Sequence, residues 1–258
     1  MTDTLKFLAF ETSTDMMSVA LCVGDQTWHL HTQGGANASA QLIPSIHNLL
    51  AQAHIGLTDL TALVIGQGPG SFTGLRTACS VAQGLALGAQ LKVIPVDTLM
   101  VVAEDARAKL QTPHTSHLSV VMDARMGEVY GGAYEWLAAS AQWQAVVPLQ
   151  VGPPARMAQA LLLEHAASAV LAGNGFEVYA EAFSDALAKR STAPVTCVAA
   201  VPHALALLRL APSLWAAGKA VAPEGVQPLY IRDKVAQTTA EREVIKAAKA
   251  AGLSIDTP

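Results

Sequence analysis

Charge is what this sequence has least of. Of its 258 residues only 14% are Asp, Glu, Lys or Arg, against roughly 25% in a typical soluble domain. The formal net charge of −4 excludes a protein that holds nucleic acid by bulk positive charge alone. Aromatic residues make up 5%, too few for a platform on which single strands stack. The three cysteines, Cys22, Cys79 and Cys197, are widely spaced and odd in number, so they form no disulfide framework and fit a reducing compartment. No stretch reaches the ~18 uninterrupted apolar residues of a membrane span. Asp3 and Lys6 break any apolar run that a signal peptide would need. The expectation is a cytoplasmic protein without membrane contact. What is abundant is small and apolar: 52% of the chain is hydrophobic and alanine is its commonest residue. That excludes disorder, and the length allows one large or two modest domains with a real core.

The charge deficit is concentrated. From Gln26 to Leu91 the only formally charged side chains are Asp59 and Arg76. Two helices are predicted in that window. The first starts near Ser39, a good N-cap, and repeats apolar residues at Leu42, Ile43, Ile46, Leu49, Leu50 and Ala53, a helical period. Pro44 should start or kink it. The second covers about residues 75–87, with Arg76 as its only charge and small residues at Gly74, Ala78, Ala82 and Ala86, beside Gly84 and Gly88. A solvated helix normally carries a charged face. Either both helices are enclosed by their own domain, or one side of the pair is covered by another protein, whose interface core would be poor in charge.

Apolar runs at residues 6–12, 17–23 and 27–32 read as strands, followed by the first helix, a strand at 62–66, a glycine-rich loop, the second helix, a strand at 92–96 and a helix at 99–110. Residues 111–117 are polar with a proline and read as a linker. The pattern then restarts, with strands at 118–124, 128–135 and 142–151, a helix at 156–167 and a strand at 169–172. Glu11 and Asp123 end the first strand of each half, and Gly66-Gln67-Gly68 and Gly173-Asn174-Gly175 follow the fourth strands. The two pairs are separated along the chain by nearly the same distance, which points to a duplication. The expected fold is α/β, two β-β-β-α-β-α halves on the plan of the actin, sugar-kinase and Hsp70 nucleotide-binding (ASKHA) fold. The halves would be residues 1–111 and 112–235, with a polar tail at 236–258. In that plan a nucleotide lies between the halves, its phosphates on loop amides and its metal on carboxylates.

The strongest local signal is Gly66-Gln67-Gly68-Pro69-Gly70-Ser71-Phe72-Thr73-Gly74-Leu75-Arg76. It follows a strand and opens a helix, where backbone N–H groups can receive an anion, and Arg76 could grip phosphate or carboxylate. It is not a Walker loop, since no Gly-Lys-Ser/Thr follows. The alternative is a tight turn in which glycines permit close packing and Arg76 bonds a neighbouring loop. Glu11, Gly68, Gly70, Ser71, Arg76 and Asp123 are therefore candidate nucleotide- or anion-binding residues.

This loop, together with Leu8-Ala9-Phe10-Glu11-Thr12-Ser13, Gly84-Leu85-Ala86-Leu87-Gly88, Pro95-Val96-Asp97-Thr98-Leu99 and Pro228-Leu229-Tyr230-Ile231-Arg232, resembles the TsaB (YeaZ) family, in register over residues 5–235. The resemblance implies a non-catalytic subunit in bacterial synthesis of threonylcarbamoyladenosine, the modified base beside the tRNA anticodon. It implies pairing with a transferase paralogue, TsaD, and association with an ATPase, TsaE. It implies a homodimer in isolation, and contact with tRNA only through the complex. The family's contacts use the two N-terminal helices, which here would offer Leu42, Ile46, Leu49, Ala53, Ala78, Ala82 and Leu85. On that reading an acid or arginine at Leu49 or Ala82 abolishes pairing and leaves a folded monomer. Whether ATP or ADP sits at the interface of the complex stays open.

The transferase binds metal through His-x-x-x-His after the strand that ends its first half; the matching Val96-Asp97-Thr98-Leu99 has no histidine. His29-x-His31 and His114-x-x-His117 are the nearest clusters. The first would share one face of a strand but has no third ligand in context, and the second lies in the linker and reads as solvated, so no intrinsic metal site or cofactor is expected. The hairpin Thr12-Ser13-Thr14-Asp15 lacks the glycine that usually lets phosphate approach, and Glu11 and Asp123 could instead bond hairpin amides. The competing class is a free-standing phosphotransferase or peptidase. There is no His-Glu-x-x-His and no Gly-x-Ser-x-Gly, and Ser71 has no marked base. The tail mixes Lys234, Arg242, Lys246 and Lys249 with acids, the pattern of a solvated helix.

Overall fold

The structure is a computed structural model that describes residues 4–110, 117–164, 169–190 and 194–231. The first half contains β1 (Lys6–Glu11), β2 (Met16–Val23), β3 (Gln26–Gln33), α1 (Ala38–Gln52), β4 (Ala62–Gly68), α2 (Phe72–Ala89), β5 (Lys92–Asp97) and α3 (Thr98–Leu110). The second contains β6 (His117–Arg125), β7 (Glu128–Leu137), β8 (Gln142–Gly152), α4 (Pro154–Ala158), β9 (Val170–Gly173), α5 (Gly175–Val178), α6 (Ala180–Lys189), β10 (Thr196–Ala199) and α7 (Ala204–Ala216). The sheets run β3-β2-β1-β4-β5 and β8-β7-β6-β9-β10. In each, the first three strands are antiparallel and the last two join in parallel. The duplicated topology expected from the spacing is present.

Five layers result, and strand alternation explains them. On β1, Phe7 and Ala9 face a central core while Leu8 and Phe10 face an outer one; on β6, Val120 and Met122 face the centre and Val121 the far side. The centre is filled by α3 and α7, which lie between the sheets. The outer layers are α1 and α2 on the first sheet, and α4 and α6 on the second. The division of the chain near residue 111 is therefore one of topology, since α7 packs on the first sheet and α3 on the second. Residues 111–116 and 232–258, which hold most of the predicted linker and the whole predicted tail, lie outside the described residues.

Two boundaries differ from expectation. Helix α1 begins at Ala38, with Ser39 in its first turn and no side-chain cap at Asn37. It runs on through Pro44, which is exposed; the roughly 3 kcal/mol that an interior proline costs is offset by burial of Leu42, Ile46, Leu49 and Leu50. The helix predicted at 156–167 is α4 followed by a π-helical turn over Gln159–Glu164, with residues 165–168 outside the described set.

The larger correction concerns the helix faces. Leu42, Ile46, Leu49, Ala78 and Ala82 are buried in the outer core of the first sheet, and the half-buried Ala53 and Leu85 pack against it. A period of apolar residues marks the face that a sheet covers, so these residues form core and do not line a surface. An arginine at Leu49 or a glutamate at Ala82 would place an unpaired charge between helix and sheet, a cost of about 3–5 kcal/mol. We expect both variants to lose cooperative unfolding or drop far in Tm, as read by thermal melts; native-like melting of either would show that this face is not core.

Candidate functional site

The ends of the strands leave a cavity of about 500 Å³ between the halves, lined by Ser13–Asp15 and Gly70–Phe72 from one side and by Met122–Arg125 and Asn174 from the other. Leu229, Tyr230 and Ile231 close one side of it. This last segment returns from α7 to the first half: Val221 pairs with Val93, Gln83 Nε2 donates to the Val226 carbonyl and the Leu229 amide to the Gln67 carbonyl. An ion pair crosses the cavity mouth, Arg125 to Asp15 at 2.5 Å. Arg125 also lies 3.9 Å from Asp123.

The glycine-rich loop is packed, and three of its amides are engaged within the protein. The Gly68 amide donates to Thr98 Oγ1, the Ser71 amide to the Ser13 carbonyl, and the Gly74 amide to Ser71 Oγ, which caps α2. A Cβ on Gly74 would overlap the Thr12 carbonyl oxygen, and one on Gly70 would lie 2.6 Å from that of Ser13. Gly68 has φ +128, and a Cβ there would meet the Leu229 carbonyl at 2.5 Å. These glycines thus let the loop lie against the β1–β2 hairpin and the returning segment.

Of the candidate anion-binding residues, the structure brings Gly70, Ser71 and Asp123 to the cavity. Glu11 lies beneath it, fully buried, with Oε1 accepting from the Ser13 amide at 2.6 Å and Oε2 unpartnered. Gly66 makes room for that carboxyl, since a Cβ there would overlap Oε2. Asp123 Oδ1 accepts from the Arg125 amide and from the Tyr179 hydroxyl. Both acids therefore bond hairpin amides. Gly68 is buried under Leu229. Arg76 stands outside the cavity on the exposed side of α2, its guanidinium 3.7 Å above the Phe72 ring and its Nε donating to the Tyr230 hydroxyl at 3.0 Å. Phe72 and Tyr230 stack at 5.3 Å.

His29 and His31 sit on the exposed edge strand β3, and His31 meets the ring of His203 edge-on. Burial, His203 and His29 all push the His31 imidazole downward. His117 lies 3.6 Å from Glu135; His114 is outside the described residues. Among the described residues no three His, Cys, Asp or Glu side chains gather as metal ligands, and no helix is long and apolar enough to cross a membrane.

Sequence reasoning missed the acids that join the layers. Glu104 on α3 is buried and accepts from Arg107, from Arg209 on α7 and from Trp143 on β8. Asp105, its neighbour, accepts from His203, which precedes α7, and from the Val201 amide, and pairs with Lys109. Burial alone would raise the Asp105 carboxyl, but these bonds outweigh it and hold it at about 2. Asp97, where β5 ends, accepts from the Tyr134 hydroxyl across the halves and from the Leu99 amide. Two adjacent acids in an apolar helix were the available signal for the first pair.

Burial pushes the Glu11 carboxyl above its ordinary value of 4.5, against the smaller effect of its hydrogen bonds from Ser13 and Thr12. The folded state thus holds that proton more tightly than the unfolded chain, so the contribution is full below about pH 4.5 and is lost as pH rises through the raised value. Glu11→Gln removes the ionisation. In urea denaturation at pH 4.5 and pH 8 the variant should gain stability relative to the parent at the higher pH; a difference independent of pH would show that Glu11 is not buried as an acid.

Comparison with known proteins follows the same architecture. A family model described as TsaD, tRNA N6-adenosine threonylcarbamoyltransferase, matches residues 30–240. The tRNA threonylcarbamoyladenosine biosynthesis protein TsaB of Escherichia coli is 33% identical over 233 residues, covering 90% of this chain and 96% of that one. TsaB of Haemophilus influenzae is 30% identical over 237 residues, covering 90% and 95%. The solved structure of YeaZ from Pseudomonas aeruginosa superposes with a TM-score of 0.74 at 32% identity, covering 88% of this chain and 99% of that one.

Proposed function

This chain belongs to the TsaB (YeaZ) family, and from that premise we propose that it serves tRNA threonylcarbamoyladenosine synthesis as a non-catalytic subunit that docks a TsaD-type transferase. The observation that carries the reading is the outer face of α1 and α2. On α1 the exposed residues include Ala40, Ile43, Pro44, His47, Asn48 and Ala51, and on α2 they include Phe72, Arg76, Ser80, Gly84, Leu87 and Gly88. Arg76 is the single formal charge on either helix. Leu87 is 68% exposed and Ile43 41%, while a Cβ on Gly84 or Gly88 would meet nothing within 4 Å. The helix's own packing therefore does not require those glycines, and they leave a shallow notch for a second backbone. Charge-poor, partly apolar surface of this kind is the composition of an interface core.

A second copy of the chain would pair through the same face, about a two-fold axis, when the transferase is absent. A TsaE-type ATPase and tRNA would join through the transferase complex, and an adenine nucleotide, where one is used, would sit at that complex's interface. The reading is tested by co-purification of the transferase and ATPase with the intact chain, and by Gly84→Arg and Leu87→Glu on the outer face. Both variants should melt like the parent and lose the transferase. Retention of the transferase by both would remove this face as the docking site, and turnover of ATP by the purified chain alone at roughly 1 s⁻¹ or more would make it an enzyme in its own right.

A further inference from the structure

We propose that Arg76 is the contact that makes this face prefer a different protein over a second copy of the chain, by taking one carboxylate that only the other protein presents. The inference rests on the docking reading above and adds to it the chemistry of the partner's surface. Arg76 is exposed on the stripe formed by residues 73, 76, 80, 84 and 87 of α2, so it points the same way as Gly84 and Leu87.

Its guanidinium is held before any partner arrives. One flat side rests on Phe72 at 3.7 Å and Nε is bonded to the Tyr230 hydroxyl. Tyr230 is itself fixed by the neighbouring Leu229, whose amide bonds the Gln67 carbonyl. A stacked guanidinium loses little freedom on binding, and with Nε used, the two terminal nitrogens remain as the pair that fits a carboxylate. Among the described residues Arg76 forms no ion pair. Phe72 and Tyr230 are each nearly half exposed, so the cluster of Arg, Phe and Tyr has the composition of an interface hot spot.

The charge inventory identifies the occupant. Neither α1 nor α2 carries an acidic residue, so packing this face on its own copy sets no helix carboxylate opposite Arg76. The window's one acid, Asp59, follows α1 in a turn and is engaged with the Gly56 amide at 2.7 Å. Self-pairing would then bury a cation without a counter-charge, which is costly. A partner that presents a single Asp or Glu within an otherwise uncharged helical surface satisfies the arginine and removes that cost. The face is thus matched to such a protein and only tolerates itself.

The experiment uses the full chain and the TsaD-type protein of the same organism, with Arg76→Gln, Arg76→Lys and Gly84→Arg, all checked by thermal melt. Binding is measured at about 50 and 300 mM salt, and self-association by sedimentation. Arg76→Gln should weaken transferase binding roughly 10- to 100-fold and flatten its salt dependence, while self-association stays equal or strengthens. Arg76→Lys, which keeps the charge and loses the planar pair of donors, should fall between. If Gly84→Arg abolishes binding while Arg76→Gln leaves affinity and salt dependence unchanged, docking stands and the carboxylate contact is overturned. An equal loss of self-association and transferase binding in Arg76→Gln also overturns it. If Gly84→Arg and Arg76→Gln both bind like the parent, the docking reading fails and the inference fails with it.

Discussion

The grip of α3 on α7 is the constraint on which the remaining geometry depends. These two helices form the layer between the sheets, and each comes from one half while packing on the sheet of both. Apolar contact alone would let such helices slide, because alanine-rich surfaces offer many near-equivalent registers. Glu104 and Asp105, consecutive on α3, remove that freedom by holding Arg209 on α7 and His203 at its start. Each is buried, so a shifted register would leave a carboxylate without partners, at a cost of several kcal/mol. His203 Nδ1 accepts from the Ala206 amide and Ser18 Oγ from the Ala204 amide, which ties the start of α7 to the first sheet. The halves are therefore joined in one arrangement, and the chain that leaves α7 is aimed back at β5 and the glycine loop.

That return determines the outer face. The segment from Val221 to Tyr230 bonds β5, then α2, then the glycine loop and then α2 again. Its last described residues close one side of the cavity and hold the Arg76 side chain at the same time. The glycines serve this contact from the other side. With Cβ atoms on Gly68, Gly70 and Gly74, the loop could approach neither the hairpin nor Leu229, and α2 would begin in a different place. Close backbone packing is thus the physical use of these glycines visible in the fold, and it bears on the exposed face more directly than on the cavity.

The central strands and the doubled topology were legible because both faces of those strands are buried. Such strands must read as short apolar runs, as Phe7-Leu8-Ala9-Phe10 and Ala62-Leu63-Val64-Ile65 do. The helices were legible in extent, yet their faces were assigned the wrong way round. An apolar stripe such as Leu42, Ile46 and Leu49 is the strongest pattern a helix offers, and a sheet claims it first. The outward face carries no positive pattern; it is recognisable by what it lacks, at Ala40, Pro44, His47 and Gly84. Contacts that join distant segments had no local trace. Arg76 and Tyr230 are separated by 154 residues, and Ser18 and Ala204 by 186.

The low charge of the chain has, on this view, two separate origins. Part is forced: a five-layer fold buries both faces of two sheets and both sides of the helices between them, and charges are excluded there unless paired as Glu104 and Asp105 are. The outer side of α1 and α2 is under no such demand. Positions 40, 47, 51, 80, 84 and 88 are exposed, and lysine or glutamate there would cost the fold almost nothing. At Gly84 and Gly88 an ordinary helix former would raise helix stability by about 1 kcal/mol each. A sequence that keeps glycine at two such positions and charge at none forgoes both stability and solubility on that face. On the proposed docking reading those losses are recovered when a partner covers the face, and the stacked Arg76 in its midst would specify what that cover brings.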